Sequence, residues 1–428
     1  MSSILIKNAY IVSMVSPISK ADLLVEDGVI KEIGIIDKEA DKVIDASGKV
    51  VMPGLINGHT HLAMSIFRGY SDELELMEWL SKKMWPIEDK MVAEDVYYAS
   101  LLSIIEMIKS GTTTFNDQYF FEDETARAAN EIGIRGVLSR CIIGDGEGAE
   151  LRLKEAENLY NAWNNISNGK IKVCVGIHAP YTCPPETIQK SVELAKKLNT
   201  PIHIHYLETE DEIKQINEKY NKTVTEYLEE NGVFGHKTIL AHGVWTQEDD
   251  ARKLKNYDTA IIHNPISNQK LGSGIANIKM LLENGITVGL GTDGQGSTNT
   301  LDMFEEIKSA AYLQKVMYKS ATAISGYDVL KMATIDGAKA LGIENEVGSI
   351  EVGKKADIII IDLDKPHLIP VHDIYSTLAY SVNGADVETV IIDGKIIMED
   401  RKLLTIDEEL VKKEVNKIVN KLFQDWVT

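Results

Sequence analysis

Two histidines stand two residues apart in VMPGLINGHTHLAMSIFRGY, residues 51–70, directly after an apolar run typical of a buried strand. Because alternate residues of a strand point to the same side, the rings of His59 and His61 are expected to enter one space. Two imidazoles that share a space favour a metal site, since neutral histidine is the commonest side-chain metal ligand. Two packed core histidines are the alternative interpretation of this spacing taken alone.

Polar side chains also end seven further apolar segments of the chain. A single histidine at such a position is more often structural than a ligand, but five of the eight segments end in histidine and the eighth ends in aspartate. Packing explains this combination poorly, so it favours a metal site. The end residues, in chain order, are His59 and His61, Asn116 and Asp117, Arg140, His178, His205 and Glu208, His242, His263 and Asn264, and Asp293.

Helical stretches such as VYYASLLSIIEMIKS and PETIQKSVELAKKL separate several of these segments. Eight parallel strands with intervening helices are what a (β/α)8 TIM barrel requires, which predicts an α/β fold. Catalytic residues of such barrels lie at the carboxyl ends of the strands, so we expect the polar end residues to meet there. The segments are PGLINGHTH, GTTTFND, IRGVLSR, VCVGIHAP, PIHIHYLE, TILAHG, TAIIHNP and TVGLGTDG.

Short strand-like segments flank the predicted barrel on both sides. They include ILIKNAYIVSM and KVIDASGKVVMPG in the first part of the chain, and GSIEVGKKADIIIIDL and VETVIIDGKIIMED after about Gly342. The amphipathic segment DEELVKKEVNKIVNKLF predicts a terminal helix. We therefore expect a catalytic barrel over residues 53–345, with a small β-sandwich domain built from residues 1–52 and 346–428.

The metal ligands can be chosen from the strand ends. A catalytic zinc commonly takes three or more nitrogen and oxygen ligands and keeps a position for water. His59 and His61 supply two, and PIHIHYLETE offers His203 and His205 on one strand face. His205 lies nearer the strand end, so we predict it as the third ligand and His203 as a deeper supporting residue. Asp293 is predicted as the fourth, because a buried carboxylate needs a cation or a donor.

The composition narrows the kind of protein. Its hydrophobic content of 44% and charged content of 26% are ordinary for a soluble globular chain, and its formal net charge of -20 argues against a nucleic-acid partner. Three cysteines without a CxxC pair predict neither a disulfide framework nor a cysteine zinc site. The N-terminal segment does not resemble a secretion signal, and no apolar run reaches the length of a membrane span. We expect a cytoplasmic protein without a membrane partner, and homo-oligomer formation stays open.

Several of these motifs together resemble a known family. PGLINGHTHL, HYLE, AHG, HNPISNQKLGSG and GTDG, in this order, are similar to the amidohydrolase superfamily over nearly the whole chain. EWLSKKMWPIED, Arg140, Arg152 and STNTLDMFEEIK resemble the group that deaminates S-adenosylhomocysteine, methylthioadenosine and related adenosines such as 5'-deoxyadenosine. The resemblance implies a hydrolytic deaminase in which residues corresponding to His59, His61, His205 and Asp293 hold one divalent metal, usually Zn²⁺.

One metal rather than two is expected from the fourth strand. Dinuclear members of the superfamily bridge their ions with a carboxylated lysine at the end of that strand. The only lysine of KVCVGIHAP is Lys172, at the opposite end, and the carboxyl end carries His178. This position therefore favours a mononuclear site.

The implied reaction assigns catalytic roles. Hydrolytic deamination adds water to a ring carbon, and it needs a base for the water and an acid for the ring nitrogen and the departing amine. Asp293 fits as the base that later returns a proton to the amine, Glu208 fits as the acid, and His242 fits as a hydrogen-bonding partner of the hydroxide. A helix-start acid at Glu208 and a packed histidine at His242 are the alternatives.

The resemblance also places substrate contacts around the barrel mouth. Glu88 could accept from both ribose hydroxyls, Trp79 could cover the substrate, and His178 could bond the ribose or the purine edge. Arg140 and Arg152 could grip a carboxylate such as the amino-acid tail of S-adenosylhomocysteine, because an arginine fork suits that group. An amphipathic helix at residues 79–88 and two solvated arginines are the alternatives.

Three other functions are alternatives to adenosine deamination. A triazine-type chlorohydrolase expels chloride, which needs no proton, so Glu208 favours a deaminase. Deamination of another heterocycle, such as guanine or cytosine, and a non-catalytic scaffold on the same fold are further alternatives. The preferred adenosine derivative, the physiological metal and the oligomeric state stay open at this level.

Overall fold

The computed structural model describes residues 3–423, and its strands fall into two sheets of nine strands each. The strands, in chain order, are β1 (Ser3–Ile11), β2 (Ser19–Glu26), β3 (Val29–Gly34), β4 (Lys42–Asp45), β5 (Lys49–Pro53), β6 (Leu55–Thr60), β7 (Thr112–Tyr119), β8 (Arg135–Ile142), β9 (Ile171–Val173), β10 (Val175–Ile177), β11 (Ile202–Tyr206), β12 (Thr238–His242), β13 (Thr259–His263), β14 (Thr287–Leu290), β15 (Ile358–Asp362), β16 (Val387–Ile392), β17 (Lys395–Glu399) and β18 (Lys402–Leu403).

Helices fill most of the connections between these strands. The α-helices are α1 (Leu76–Trp79), α2 (Trp85–Glu88), α3 (Ala93–Lys109), α4 (Glu122–Ile132), α5 (Gly146–Trp163), α6 (Ile166–Gly169), α7 (Pro185–Leu198), α8 (Glu210–Tyr220), α9 (Val224–Glu230), α10 (Glu248–Leu254), α11 (Pro265–Lys270), α12 (Ile278–Glu283), α13 (Gln295–Thr298), α14 (Met303–Met317), α15 (Gly326–Met332), α16 (Ile335–Leu341), α17 (Ile374–Tyr380) and α18 (Glu408–Leu422). Short 3-10 helices span Leu62–Phe67, Val233–Gly235 and Gly384–Asp386, and a π-helical turn spans Leu80–Met84.

The sheet that runs from β6 to β14 is the predicted barrel. Its strands are parallel, with β9 and β10 together forming the fourth, and neighbours along the chain are neighbours in the sheet. The Asp293 amide donates to the His59 carbonyl oxygen at 3.0 Å, and the Thr292 amide donates to Asn57 Oδ1 at 3.0 Å. These bonds join the ends of the first and eighth strands, so the predicted (β/α)8 fold is confirmed.

Continuous burial explains why the barrel strands read as apolar runs. All five residues of β11, β12 and β13 are buried, as parallel strands with helices on one side and a packed interior on the other should be. The register pairs Tyr206 with His242 and His263 with Leu290. The carboxyl ends of these strands therefore lie level with one another, and their polar residues share one end of the barrel.

The second sheet is the small β domain predicted from both ends of the chain. Its strand order is β18-β17-β16-β15-β5-β1-β2-β3, with β4 paired to β1, so strands from the two ends of the chain meet where β15 lies antiparallel to β5. Alternate residues of these strands form an apolar cluster of their own, which includes Ile6, Val51 and Ile360. This mixed sheet is consistent with the predicted β-sandwich, while the residue boundaries 52/53 and 345/346 stay a prediction.

A buried ion pair connects the barrel to the small domain. Arg135, the first residue of β8, donates from Nε to Asp357 Oδ2 at 2.8 Å, and both side chains are only 2% exposed. Asp357 Oδ1 also accepts from Arg135 Nη2 at 3.2 Å and from the Asp393 amide at 2.8 Å. This pair lies at the amino end of the strands, opposite the end where the histidines gather.

The predicted terminal helix is present as α18, and it packs against α3 at the side of the barrel. Phe423, just after it, contacts Phe67 and Tyr70 with ring centroids 5.8 and 4.8 Å apart. Within residues 3–423, no helix combines the length and the apolar character needed to cross a membrane.

Candidate active site

Four side chains from three strand ends bring their donor atoms to one point. His59 Nε2 and His61 Nε2 lie 3.4 and 3.2 Å from Asp293 Oδ1, and His61 Nε2 lies 3.3 Å from His205 Nε2. Nitrogen and oxygen ligands about 2.0–2.1 Å from a tetrahedral zinc ion lie about 3.3 Å from one another. The spacing of these donor atoms therefore fits a metal ion at their centre.

Hydrogen bonds fix which ring nitrogen of each histidine faces that centre. His61 Nδ1 lies 2.6 Å from the Gln118 carbonyl oxygen, and His205 Nδ1 lies 2.6 Å from the His178 carbonyl oxygen. Since a carbonyl oxygen only accepts, each Nδ1 carries a proton and each Nε2 is turned inwards. Although burial lowers the pKa of His61, the Asp293 carboxylate raises it to about 9. Two ring nitrogens that face each other at 3.3 Å beside a carboxylate attract a cation, either a proton or a metal ion, which is a second sign of a metal site.

His59 is held in the same way by another histidine. Its Nδ1 lies 2.9 Å from His203 Nε2, and its fully buried Nε2 has no hydrogen-bond partner among the described residues. Burial lowers the pKa of His59 to about 3, so the ring is neutral and free to act as a ligand. His203 lies two residues before His205 on the same face of β11, and it thus occupies the deeper supporting position that the sequence predicted.

Asp293 is oriented by two serines. Ser267 Oγ and Ser297 Oγ donate to its Oδ2 at 2.7 and 2.8 Å, which leaves Oδ1 facing the histidines. Burial alone would raise the pKa of Asp293, but its contacts with the His59 and His61 rings lower the pKa well below the usual value. This carboxylate is therefore ionised in a site from which water is largely excluded.

The positive φ angles of two strand-end residues support a functional role for this end of the barrel. His242 has a φ of 76° and Asp293 a φ of 65°, in the left-handed region that non-glycine residues enter at a cost. Such conformations persist where the surrounding structure holds a side chain in a required direction. Here they turn both side chains towards the same centre.

Glu208 and His242 flank the ligand cluster. Glu208 is 6% exposed, and its Oε2 lies 3.9 Å from His242 Nε2. Burial raises the pKa of Glu208, so a larger fraction of its carboxyl group is protonated near neutral pH. His242 Nδ1 lies 2.9 Å from Asn268 Oδ1, so Nδ1 carries the proton and Nε2 is left as an acceptor facing Glu208. These two groups can exchange protons with a molecule bound over the cluster.

A cavity of about 700 Å³ opens above these residues. Its walls come from the strand ends, from α5 and from the excursion after β6, in which α1 and α2 are joined by the π-helical turn. Every predicted catalytic, substrate-binding and metal-ligating residue except the fully buried His59 lines this cavity, namely Trp79, Glu88, His61, Arg140, Arg152, His178, His205, Glu208, His242 and Asp293.

The excursion after β6 is fixed over the cavity at two places. Trp79 is 5% exposed and packs so closely on Gly296 that a Cβ atom there would lie 2.7 Å from the indole ring. Glu88 Oε1 accepts from the Tyr119 hydroxyl at 2.5 Å. Trp79 and Glu88 therefore belong to the cavity roof, and the amphipathic-helix alternative accounts for Trp79 only in that the ring is buried.

The remaining substrate candidates also line the cavity. His178 Nδ1 lies 2.8 Å from Thr182 Oγ1, and burial lowers the pKa of His178 to about 4, so this ring is neutral. Arg140 lies two residues before the end of β8 and its side chain is 15% exposed, while Arg152 projects from α5. Both guanidinium groups line the cavity, so neither is simply a solvated surface arginine.

Besides His59, four of the polar strand-end residues do not line the cavity, namely Asn116, Asp117, His263 and Asn264. His263 is fully buried, and neither of its ring nitrogens has a hydrogen-bond partner among the described residues. Asn116 donates to the Gly58 carbonyl oxygen at 2.8 Å. Asp117 accepts from Thr60 Oγ1 at 2.6 Å and from the Leu62 amide at 2.8 Å. Asn116 and Asp117 therefore brace the first strand beside its histidines.

Sequence reasoning missed several residues that position the site. Tyr119 and Glu212 gave no signal of their own, and Glu212 accepts hydrogen bonds from the Leu207 and Glu208 amides at 3.1 Å each. Ser297 is the first residue of STNTLDMFEEIK, but the motif did not indicate its bond to Asp293. Ser267 and Asn268 lie within HNPISNQKLGSG, a motif whose serine and second asparagine carry polar groups towards the strand ends. That motif could have pointed to these two residues.

Comparison with known proteins agrees with this geometry. The chain matches the model described as the amidohydrolase family over residues 50–397. It is 50% identical to a 5-methylthioadenosine/S-adenosylhomocysteine deaminase from Caldanaerobacter subterraneus subsp. tengcongensis, with 100% of both chains covered. It is 48% identical to a 5'-deoxyadenosine deaminase from Methanosarcina mazei, with 99% of each chain covered. An adenosine deaminase from Xanthomonas campestris, solved with bound zinc, has a TM-score of 0.95 at 30% identity over 99% of each chain. With these matches, and with the histidine and aspartate cluster that the motifs predicted, the chain belongs to the amidohydrolase family.

Proposed function

We propose that this chain is a hydrolytic deaminase that replaces the 6-amino group of an adenosine derivative with oxygen and releases ammonia. The observation that carries the proposal is the position of Glu208 and His242, 3.9 Å apart, beside four converging donor atoms on the floor of a nucleoside-sized cavity. Relatives that are 50% and 48% identical over essentially the whole chain carry the names of adenosine-derivative deaminases. A chlorohydrolase expels chloride, which needs no proton, so an acid in the position of Glu208 is more useful to a deaminase.

One divalent metal ion, which we propose to be Zn²⁺, fits the site. His59, His61, His205 and Asp293 would hold it, and it would supply a Lewis acid that makes water a better nucleophile near neutral pH. The fourth strand supports a single ion, because its carboxyl end provides His178 and no lysine that could be carboxylated to bridge two ions. The zinc bound in the adenosine deaminase from Xanthomonas campestris supports the choice of metal.

Asp293 serves as the base in this proposal. Its Oδ2 is occupied by the two serine hydroxyls, so Oδ1 is the oxygen that takes a proton from the attacking water. The pKa of Asp293 is well below its usual value, so the group is ionised and ready to accept. After addition, the same proton can pass to the amine, which must be protonated before it leaves.

Glu208 serves as the acid that protonates the ring nitrogen. Its raised pKa keeps part of the carboxyl group protonated, and the Leu207 and Glu208 amides, tied to Glu212, fix the turn from which it projects. His242, with Nδ1 bound to Asn268, offers Nε2 as an acceptor for the attacking water. Glu208 thus acts on the purine ring, whereas His242 acts on the attacking water.

The cavity roof and walls bind the nucleoside. Glu88 has one oxygen free and one shared with Tyr119, and it is placed to accept from the ribose hydroxyls. Trp79 covers the base, and neutral His178 bonds the ribose or the purine edge through Nε2, since its Nδ1 is bound to Thr182. Arg140 and Arg152 lie further out, where the 5' substituent of the substrate would extend.

A panel of adenosine analogues tests this function. Purified protein should convert 5'-methylthioadenosine, S-adenosylhomocysteine, 5'-deoxyadenosine or adenosine to the corresponding inosine derivative. The conversion is measured by the adenine-to-hypoxanthine absorbance change and by the release of ammonia. The protein should also contain one equivalent of divalent metal. Turnover of a chlorotriazine, guanine or cytosine without turnover of any adenosine would overturn the proposal, and so would full activity without a metal.

A further inference from the structure

The outer part of the cavity contains an ion pair that the proposed reaction does not use. Glu155, on α5, receives a hydrogen bond from Arg140 Nε to its Oε2 at 2.8 Å. Both residues line the cavity, together with Arg152. Neither residue forms a hydrogen bond or ion pair with a predicted metal ligand, so the pair is available to the 5' substituent of a bound nucleoside.

The Glu155 carboxylate and one further contact fix the direction of the Arg140 fork. Arg140 Nη1 donates to the Cys141 carbonyl oxygen at 2.5 Å, and Nε donates to Glu155. Two of its five N–H donors are thus used within the protein, and Nη2 stays available to an anion in the cavity. Glu155 Oε1, in turn, accepts no hydrogen bond from any residue of the described range, so it stays available to a cationic donor.

Arg152 supplies a second cation without a partner carboxylate. It stands three residues before Glu155 on α5, so the two lie on neighbouring positions of the helix surface. Even so, Glu155 pairs with Arg140, and no carboxylate of residues 3–423 lies within ion-pair distance of Arg152. Among the described residues, Arg140 and Arg152 are the two lysine or arginine side chains that line the cavity, and Glu155 is the cavity carboxylate that forms an ion pair with one of them.

We propose that Glu155 is a specificity residue that receives the ammonium group of a nucleoside bearing an α-amino-acid tail. This inference rests on the proposed deaminase function and names the substrate class of the same site. In such a tail the ammonium and the carboxylate are attached to one carbon, so their protein partners must be adjacent. The Arg140–Glu155 pair, 2.8 Å apart, provides an anion donor and a cation acceptor at that spacing.

The charge arrangement distinguishes this tail from simpler ones. If a tail carried a carboxylate and no ammonium group, its carboxylate would bind Arg140 next to the negatively charged Glu155. The two like charges would repel each other at that distance. A neutral methylthio group would use neither charge. Asp123 also lines the cavity, but it accepts from Trp163 Nε1 at 3.0 Å and forms no ion pair with an arginine of the described residues, so it does not provide the paired charges that one α-carbon needs.

Three substrates test the inference on the metal-loaded enzyme. They are S-adenosylhomocysteine, its analogue without the amino group, 4-(5'-adenosylthio)butyrate, and 5'-methylthioadenosine. Glu155→Gln should lower kcat/KM for S-adenosylhomocysteine by about 3- to 10-fold, a modest loss because Glu155 is 42% exposed and partly screened by water. It should raise kcat/KM for the butyrate and leave methylthioadenosine unchanged. Glu155→Asp, which keeps the charge, should keep the order of the two charged substrates.

Glu157→Gln is the matched control on the same helix. Glu157 pairs with Lys197 at 2.5 Å and does not line the cavity, so its loss should alter none of the three activities. Equal losses on both carboxylate substrates in Glu155→Gln would overturn the inference, because the residue would then only position Arg140. No change, or equal losses on all three, would overturn it as well. If wild-type protein deaminates none of the three, the proposed function itself fails, which is a distinct result.

Discussion

Both ends of the barrel bury charged groups, but the hydrogen-bond pairing of these groups differs between the two ends. At the amino end of the strands, Arg135 Nε and Nη2 both donate to the Asp357 carboxylate, which also accepts from the Asp393 amide, while Arg135 Nη1 has no hydrogen-bond partner among the described residues and lies 3.6 Å from Glu346 Oε2. At the carboxyl end, the inward nitrogens of His59, His61 and His205 face one another with no protein donor between them.

The difference separates groups that serve the fold from groups that serve a ligand. Polar atoms buried in a native protein are normally paired, so a cluster of buried acceptors without donors marks a position where something else must bind. A paired charge at the bottom of a barrel contributes to stability, whereas residues at the top carry the chemistry. Substitutions at the two ends should therefore change different measurements.

The largest effect is expected from removing a ligand. His205→Ala should reduce the metal content to a small fraction of one equivalent and abolish measurable deamination, because His205 supplies one of the three imidazole nitrogens and its loss leaves a gap in the ligand set. Far-UV circular dichroism should stay unchanged. His263→Leu is the matched control, since His263 also ends a barrel strand but lies outside the cavity, and it should keep its metal. A His205→Ala protein that retains metal and turnover would show that the ligand set is wrong.

A loss of about 10²- to 10⁴-fold is expected from Glu208→Gln, the usual contribution of a general acid. The amide keeps the size of the side chain but cannot deliver a proton. Metal content, measured alongside kcat, should equal that of the wild type, which separates this variant from a ligand substitution. Normal turnover of an adenosine substrate would remove Glu208 from the catalytic role.

At the amino end of the barrel, Arg135→Met should lower the free energy of unfolding by about 3–5 kcal/mol, because it leaves Asp357 buried without its partner. Denaturant titration measures this loss, and kcat/KM and metal content at low temperature should be unchanged. The double variant Arg135→Met/Asp357→Leu should regain part of the stability. Should the single variant lose activity while staying fully folded and metal-loaded, the contrast between the two ends would fail.

The smallest effect is expected from Tyr119→Phe, which removes the hydroxyl that donates to Glu88. Loss of one hydrogen bond to a charged group should raise KM for adenosine substrates about 5- to 20-fold with little change in kcat. The same variant should lose much less with 2',3'-dideoxyadenosine, which lacks the 2'- and 3'-hydroxyls that would donate to Glu88. Equal losses on both substrates would mean that Tyr119 supports the fold of the roof and does not position Glu88.

The parts of this molecule that the sequence predicts are those governed by local periodicity. A period of two along each strand placed His59 and His61 on one face, and the barrel topology placed Asp293 beside them. The same argument failed for His263, because a strand-end histidine can turn into the barrel wall as easily as into the mouth. Its burial without a partner is visible only in three dimensions.

Contacts between distant segments were beyond sequence reasoning. Tyr119 and Glu88 are 31 residues apart on different elements, and the bond between them depends on how the roof folds back over β7. The Arg140–Glu155 pair depends on the angle between β8 and α5. The arginine motif suggested a carboxylate partner from the substrate, and the structure shows that one such partner comes from the protein itself.

The pairing of β5 with β15 has a consequence for how the chain is made. The edge of β5 near Pro53 pairs with Ile358, about 300 residues later in the chain. A ribosome adding about 5–20 residues per second needs roughly 15–60 s to complete that distance. During this interval the first strands of the small domain have an open edge, and an open strand edge is a template for pairing with other chains. Newly made protein should therefore depend on chaperones until the second half of the small sheet emerges.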